Sequence, residues 1–216
     1  MNEITENMNT VMEENEDKAR FNRVRQGDCV DITEMAPGMK TIMIGLGWDV
    51  IGFDSDAADL DASLFLLNKE ELTREDEDFI FYNNLTSKDG AVEHTGDNRT
   101  GAGDGDDETV FVELDKIPYD VTKLAFVVSL YDAEARGHTF RDVRNVFFRV
   151  VDSETNRELF RYFMDGELQE NTHATAVRVG FLVRDGGKWV FEAEGAMIEG
   201  GLARLATNYG IIVAGV

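Results

Sequence analysis

The chain has 216 residues, 43% of them hydrophobic and 10% aromatic, enough to close one core and most readily a single domain. Its 43 Asp and Glu against 21 Lys and Arg leave a net charge of −22, which argues against a nucleic-acid binder and against a protein that docks electrostatically on anionic lipid, since both need a basic stripe. A single cysteine, Cys29, excludes an intramolecular disulfide framework and a thiolate metal cluster and suits a reducing compartment.

Residues 1–17 hold six acids, no base and no apolar period, so the chain is expected to begin with an acidic flexible leader, taken as residues 1–23, ahead of one domain over residues 24–216. No signal peptide and no run of about 18 apolar residues is present, so the expected location is the cytoplasm, peripheral to the inner membrane only through a partner. From Val30 onward, short β-rich runs alternate with Gly, Asn and Asp, and Pro37 and Pro118 fall between runs. Strands are predicted near 39–48, 60–67, 78–82, 109–115, 124–131, 146–152, 157–163, 175–184 and 188–194.

The clearest alternation is at 176–183, where period two places Val177, Val179, Phe181 and Val183 on one face and Arg178 and Arg184 on the other. Arg184-Asp185-Gly186-Gly187-Lys188 then reads as a hairpin turn. One short helix is predicted over 201–210, with Leu202, Leu205 and Tyr209 on one face, and a second within Asp132–Asn145. The predicted fold is mainly β, an antiparallel β-sandwich with a few short helices. Trp48, Trp189 and the phenylalanines read as core, and the charge run Glu70–Asp78 as a solvated connector.

Two segments concentrate carboxylates beyond what solvation requires. Residues 48–61 carry Asp49, Asp54, Asp56, Asp59 and Asp61 and run into an apolar strand; residues 96–108 carry Asp97, Asn98, Asp104, Asp106, Asp107 and Glu108 among glycines and run into another. Hard cations such as Ca²⁺ take roughly six to eight oxygen ligands, which Asp/Asn/Gly loops supply. Period two puts Asp59 and Asp61 on one face with Ser63, while Leu60, Ala62 and Leu64 point to the core. Neighbouring carboxylates repel and raise one another's pKa, a conflict that a cation removes. An EF-hand is excluded: its Gly and Glu positions fall on Thr109 and Asp115 counted from Asp104, and on Asp59 and Phe65 counted from Asp54. The ordinary alternative is a pair of solvated acidic loops.

These strings resemble the TerD family of tellurite-resistance and stress proteins. The resemblance rests on Gly45-Leu46-Gly47-Trp48-Asp49, Asp59-Leu60-Asp61-Ala62-Ser63, Phe81-Tyr82-Asn83-Asn84, the run Ser87 to Asn98, and Gly101-Ala102-Gly103-Asp104-Gly105-Asp106-Asp107-Glu108, and spans residues 24–210. It implies a β-sandwich that binds about two Ca²⁺ ions. The ligands it implies are Asp59 and Asp61, Asp97 and Asn98, Asp104, Asp106, Asp107 and Glu108, with Asp54 less firmly among them. It further implies a bacterial stress-response role, with other tellurite-resistance or stress-operon proteins, a membrane protein included, as partners.

Two functions compete. One is a calcium-dependent binding or signalling module without catalytic chemistry. The other is a divalent-metal phosphoryl-transfer or hydrolytic enzyme, for which His94 and Arg99 are the nearest base and phosphate holder. His94 reads more simply as a structural hydrogen-bonding residue, and Arg99 as a neutraliser of adjacent aspartates. Direct redox chemistry on tellurite would require a thiol pair, whereas Cys29 reads as a buried or half-exposed spectator. The chain contains no nucleophile elbow, P-loop, dinucleotide fingerprint or zinc-protease helix.

Overall fold

The computed structural model describes residues 23–51, 57–95, 105–170 and 173–212. Strand β3 (Thr41–Val50) shows how the sequence pattern becomes a layer. Ile42, Ile44, Leu46 and Trp48 enter the main core, while Met43, Gly45 and Gly47 occupy the alternate positions.

The described strands form two six-stranded sheets. The first runs β1 (Arg23–Val24), β10 (Arg157–Phe163), β9 (Val143–Asp152), β3, β7 (Glu108–Glu113), β6 (Val92–His94). The second runs β2 (Cys29–Asp31), β12 (Lys188–Ile198), β11 (Ala176–Asp185), β8 (Lys123–Leu130), β4 (Leu60–Leu67), β5 (Phe79–Ile80). The β1/β10 pair is parallel and the other strand pairings are antiparallel. The β-sandwich expectation is therefore met. Between the sheets Phe160, Phe191, Phe148 and Phe126 pack ring against ring, with neighbouring centroids 4.8, 5.6 and 5.3 Å apart.

Short helices are α1 (Ile32–Met35), α2 (Ala133–Arg136), α3 (Asp165–Glu170) and α4 (Gly201–Asn208). The predicted carboxy-terminal helix is α4, and the helix predicted within Asp132–Asn145 is α2 followed by a 3-10 turn at Phe140–Asp142. Leu205, Ala206 and Tyr209 lay α4 over the outer face of the second sheet, forming a smaller core with Phe65, Leu67, Ala125 and Val127. No helix among the described residues is long and apolar enough to cross a membrane.

Four expectations change. In β11 the alternation breaks, because a bulge between Arg178 and Gly180 shifts the register against both neighbouring strands. Val177, Val179 and Leu182 therefore enter the main core, while Phe181 moves to the outer face, where the Arg178 guanidinium lies 4.8 Å from its ring. The strand predicted at 78–82 shortens to β5, because Phe81 and Asn84 exchange backbone hydrogen bonds and turn the chain. Cys29 is exposed on the edge strand β2.

The fourth is the charge run Glu70–Asp78, which is more than a connector. Asp78 is 2% exposed and accepts from Arg74 Nε at 2.8 Å and Nη2 at 2.6 Å, while Arg74 Nη1 donates to Asp120 at 2.9 Å. Asp78, with Asp120 second, holds the Arg74 guanidinium more firmly protonated than usual despite its partial burial. Arg74→Ala leaves the buried Asp78 carboxylate with the residue-74 amide but without its guanidinium, and the expected loss of stability is about 2 kcal/mol, measurable by urea denaturation.

Candidate functional site

Asp59 and Asp61 stand at the start of β4 with exposures of 4% and 3%, and Ser63 follows at 3%. The expected phase holds here: Leu60, Ala62 and Leu64 enter the main core, and Phe65 and Leu67 the outer one. Above β5 the edge of β4 is open, since β5 pairs only with Leu64 and Phe65. Side chains from the other sheet take over the role of the missing strand. The Ala62 amide donates to Glu108 Oε2 of β7, and His94 Nε2 of β6 donates to the Ala62 carbonyl at 3.2 Å.

Glu108 is 2% exposed and His94 3%, and His94 Nε2 lies 3.7 Å from Glu108 Oε2. These contacts tie the sheets together at one corner, and they satisfy backbone groups that burial would otherwise penalise. They also bring one sequence-predicted ligand residue, Glu108, to the residue following Asp61.

Asp106 and Asp107 go elsewhere. Asp106 lies on the outer face of the first sheet, where Arg149 Nε and Nη2 donate to its two carboxylate oxygens, each at 2.7 Å. Arg149 Nη1 also donates to Glu158 at 3.0 Å, and Arg161 Nη2 donates to Glu158 at 2.7 Å. Burial alone would push the Glu158 carboxyl up, but Arg161 and Arg149 outweigh it and hold it below its ordinary pKa.

The Asp106 carboxylate sits over Gly45, whose missing side chain leaves the room it fills, and Gly47 likewise makes room for Phe147 and the Gly105 carbonyl. Asp107 lies along β3, its amide donating to the Leu46 carbonyl at 2.7 Å and its Oδ2 accepting from the Trp48 amide at 3.0 Å. Burial raises the Asp107 pKa; the Trp48 amide opposes this, while Asp106 and Asp49 add to it.

Asp54, Asp97, Asn98 and Asp104 lie outside the described residues, as does Arg99. Among the described residues no three of His, Cys, Asp and Glu are grouped so as to hold a metal ion. Asp59, Asp61 and Glu108 each offer carboxylate oxygens, the chemistry of hard rather than soft cations. In the sequence, residues 52–56 precede Asp59 and residues 96–104 precede Glu108.

Sequence reasoning missed the Arg149 clamp and the shelf beneath it. The available signal was the alternation of glycines in Gly45-Leu46-Gly47, because glycine inside a strand marks a close approach by another part of the chain.

A family profile described as the TerD domain matches residues 22–209. The chain is 46% identical to Tellurium resistance protein TerD of Serratia marcescens over 86% of its own length and 95% of that protein's. It is 45% identical to General stress protein 16U of Bacillus subtilis over 87% of its length and 96% of the relative's. Among solved structures it resembles a homologue of telluride resistance protein TerD from Streptomyces coelicolor, with a TM-score of 0.63, 24% identity, and coverage of 78% of this chain and 96% of that one.

Proposed function

This chain belongs to the TerD family, and on that footing we propose that it is a non-catalytic stress-response protein that binds about two Ca²⁺ ions through its acidic loops and acts as a binding or signalling module. The observation that carries the reading is the burial of Asp59, Asp61 and Glu108, the carboxylates that close the two acidic strings of the sequence. Taking carboxylates out of water is costly, and a divalent cation offsets that cost by direct coordination. The ligands would be Asp59, Asp61 and Glu108, joined by Asp54, Asp97, Asn98 and Asp104. Asp106 and Asp107 would join only by leaving Arg149 and Trp48. Bound there, the ion would supply positive charge that lets the two loops approach one another.

The names of the relatives, tellurium resistance and general stress proteins, support the stress role. The hydrolytic alternative loses its base, because His94 is buried and its Nε2 is bonded to the Ala62 carbonyl. The same reading gives the protein partners among other tellurite-resistance and stress-operon proteins, a membrane protein among them, and a cytoplasmic location.

Equilibrium dialysis against Ca²⁺ tests the ion reading directly. The expected result is about two ions per chain, falling on Asp59→Asn and on Glu108→Gln. Zero ions bound at millimolar Ca²⁺ would sink it.

A further inference from the structure

A groove of about 870 Å³ opens on the outer face of the second sheet, between the turn after β5 and helix α4. Its wall continues the outer core as a file of rings. Phe65 stacks on Phe79 and Phe79 on Phe81 at centroid distances of 4.3 and 4.2 Å. Tyr82 then meets Phe81 edge-on at 5.1 Å, and Tyr131 meets Tyr82 at 5.8 Å. The file thus passes from buried phenylalanines to two tyrosines that are 36% and 39% exposed.

The charge around this wall has one sign. Asp61, Asp76, Glu77 and Asp132 line the groove, and no Lys, Arg or His is among its described lining residues. Asp76, Glu77 and Asp132 are exposed; Lys88, paired with Glu75, also feels the Glu77 charge. On the floor, Ser129 is 3% exposed and lines the groove.

Exposed aromatic faces beside exposed carboxylates are the two features that bind an ammonium or guanidinium group, the rings through their quadrupole and the acids through charge. A serine lining the same space offers a polar contact to a main chain or side chain lying along the floor. The apolar rings around it would cover the methylene stem of a long cationic side chain.

We propose that this groove binds an extended segment of a partner protein that carries arginine or lysine. The segment's cationic side chains lie between Tyr82 and Tyr131 and face Asp76, Glu77 and Asp132. This goes beyond the calcium reading: the groove shares only Asp61 with the ligands assigned to the ion, and Asp76, Glu77 and Asp132 belong to the groove alone. A docking surface of this kind is also consistent with a protein at −22, whose field would draw a basic segment towards it.

The test uses the full chain and a fluorescein-labelled seven-residue peptide in which arginine alternates with glycine, read by fluorescence anisotropy in chelator and again in Ca²⁺. A peptide with citrulline in place of each arginine keeps the shape and removes the charge. The expected results are binding that weakens about tenfold for the citrulline peptide, and about tenfold for both the Tyr131→Ala/Asp132→Asn and Asp76→Asn/Glu77→Gln variants. Their melting temperatures should be unchanged, and the second pair stands in if the first fails to fold. Amide shifts on adding the arginine peptide should centre on Tyr82, Ser129 and Ala203.

Asp115→Asn/Asp185→Asn removes two exposed charges away from the groove and should leave binding intact. Equal weakening by this control would reduce the effect to bulk charge and overturn the proposal. Equal affinity for the citrulline peptide would overturn it too, as would tighter binding of spermine than of the peptide, which would make the groove a small-polyamine site.

Discussion

Gly45→Val is expected to cost about 3 kcal/mol of folding stability, although valine is the better strand former of the two. A Cβ at Gly45 would lie 2.5 Å from Asp106 Oδ2 and nearer still to Oδ1. Contacts that close have to be relieved, and the neighbour is poorly placed to yield. The Asp106 side chain is 9% exposed and held by two guanidinium hydrogen bonds of 2.7 Å. Expelling it breaks both bonds and leaves Arg149 with Glu158 alone. The displacement also pulls on the Asp107 bonds to Leu46 and Trp48, since they follow directly in the chain.

Hydrogen bonds to charged groups contribute about 1.5–3 kcal/mol each, and the partial exposure of Arg149 brings the sum down to the figure given. Urea denaturation of the wild type, Gly45→Val, Asp106→Ala and the double variant isolates the contact. If the carboxylate is the obstacle, Gly45→Val costs less than about 1 kcal/mol once Asp106 is alanine, a coupling of about 2 kcal/mol. Equal penalties in both backgrounds would place the strain elsewhere, for instance in the strand pairing itself.

This contact marks the limit of what periodicity can reveal. Strands β4 and β10 have the bounds expected from the sequence; in β4 the inward residues Leu60, Ala62, Leu64 and Leu66 alternate without interruption, while β10 keeps its bounds despite a bulge between Glu158 and Phe160. Strands β1, β2 and β6 have two or three residues, too few for a period to register, and they form by completing edges that longer strands already define. In β11 the pattern was visible but its phase was not constant. The bulge at Arg178–Gly180 depends on Gly180 lying against the Glu192 carbonyl of β12, a contact between residues distant in sequence.

The acidic strings divide in the same way. Asp59 and Asp61 take the face that spacing assigns to them, because a strand fixes the directions of its side chains. In the second string, neighbours with similar chemistry separate: Glu108 crosses to the other sheet, Asp106 turns outward to Arg149, and Asp107 lies along β3. Composition identified these residues as unusual but could not assign their directions, which depend on a guanidinium from β9 and an open edge on β4.

The calcium reading makes its largest prediction in thermal stability. A ligand at about one hundred times its dissociation constant stabilises the folded state by about 2.7 kcal/mol, so two sites give about 5 kcal/mol. For a domain of this size each kcal/mol moves the melting temperature by about 2–4 °C, so Ca²⁺ against chelator should separate the transitions by about 10–20 °C. The sign of the variants is more telling than this shift.

Asp59→Asn removes a charge from a position that is 4% exposed, so in chelator it should leave stability unchanged or raise it. Glu108→Gln keeps an oxygen to accept from the Ala62 amide, so it too should hold its stability without the ion. In Ca²⁺ both variants should melt below the wild type, because each has lost part of the coordination that provides the shift. A carboxylate serving only the fold would give the same ordering with and without the ion. Differential scanning calorimetry of three proteins in two buffers decides between these outcomes: a crossing of the order supports ion binding at this corner, and superimposable curves for the wild type with and without Ca²⁺ rule it out.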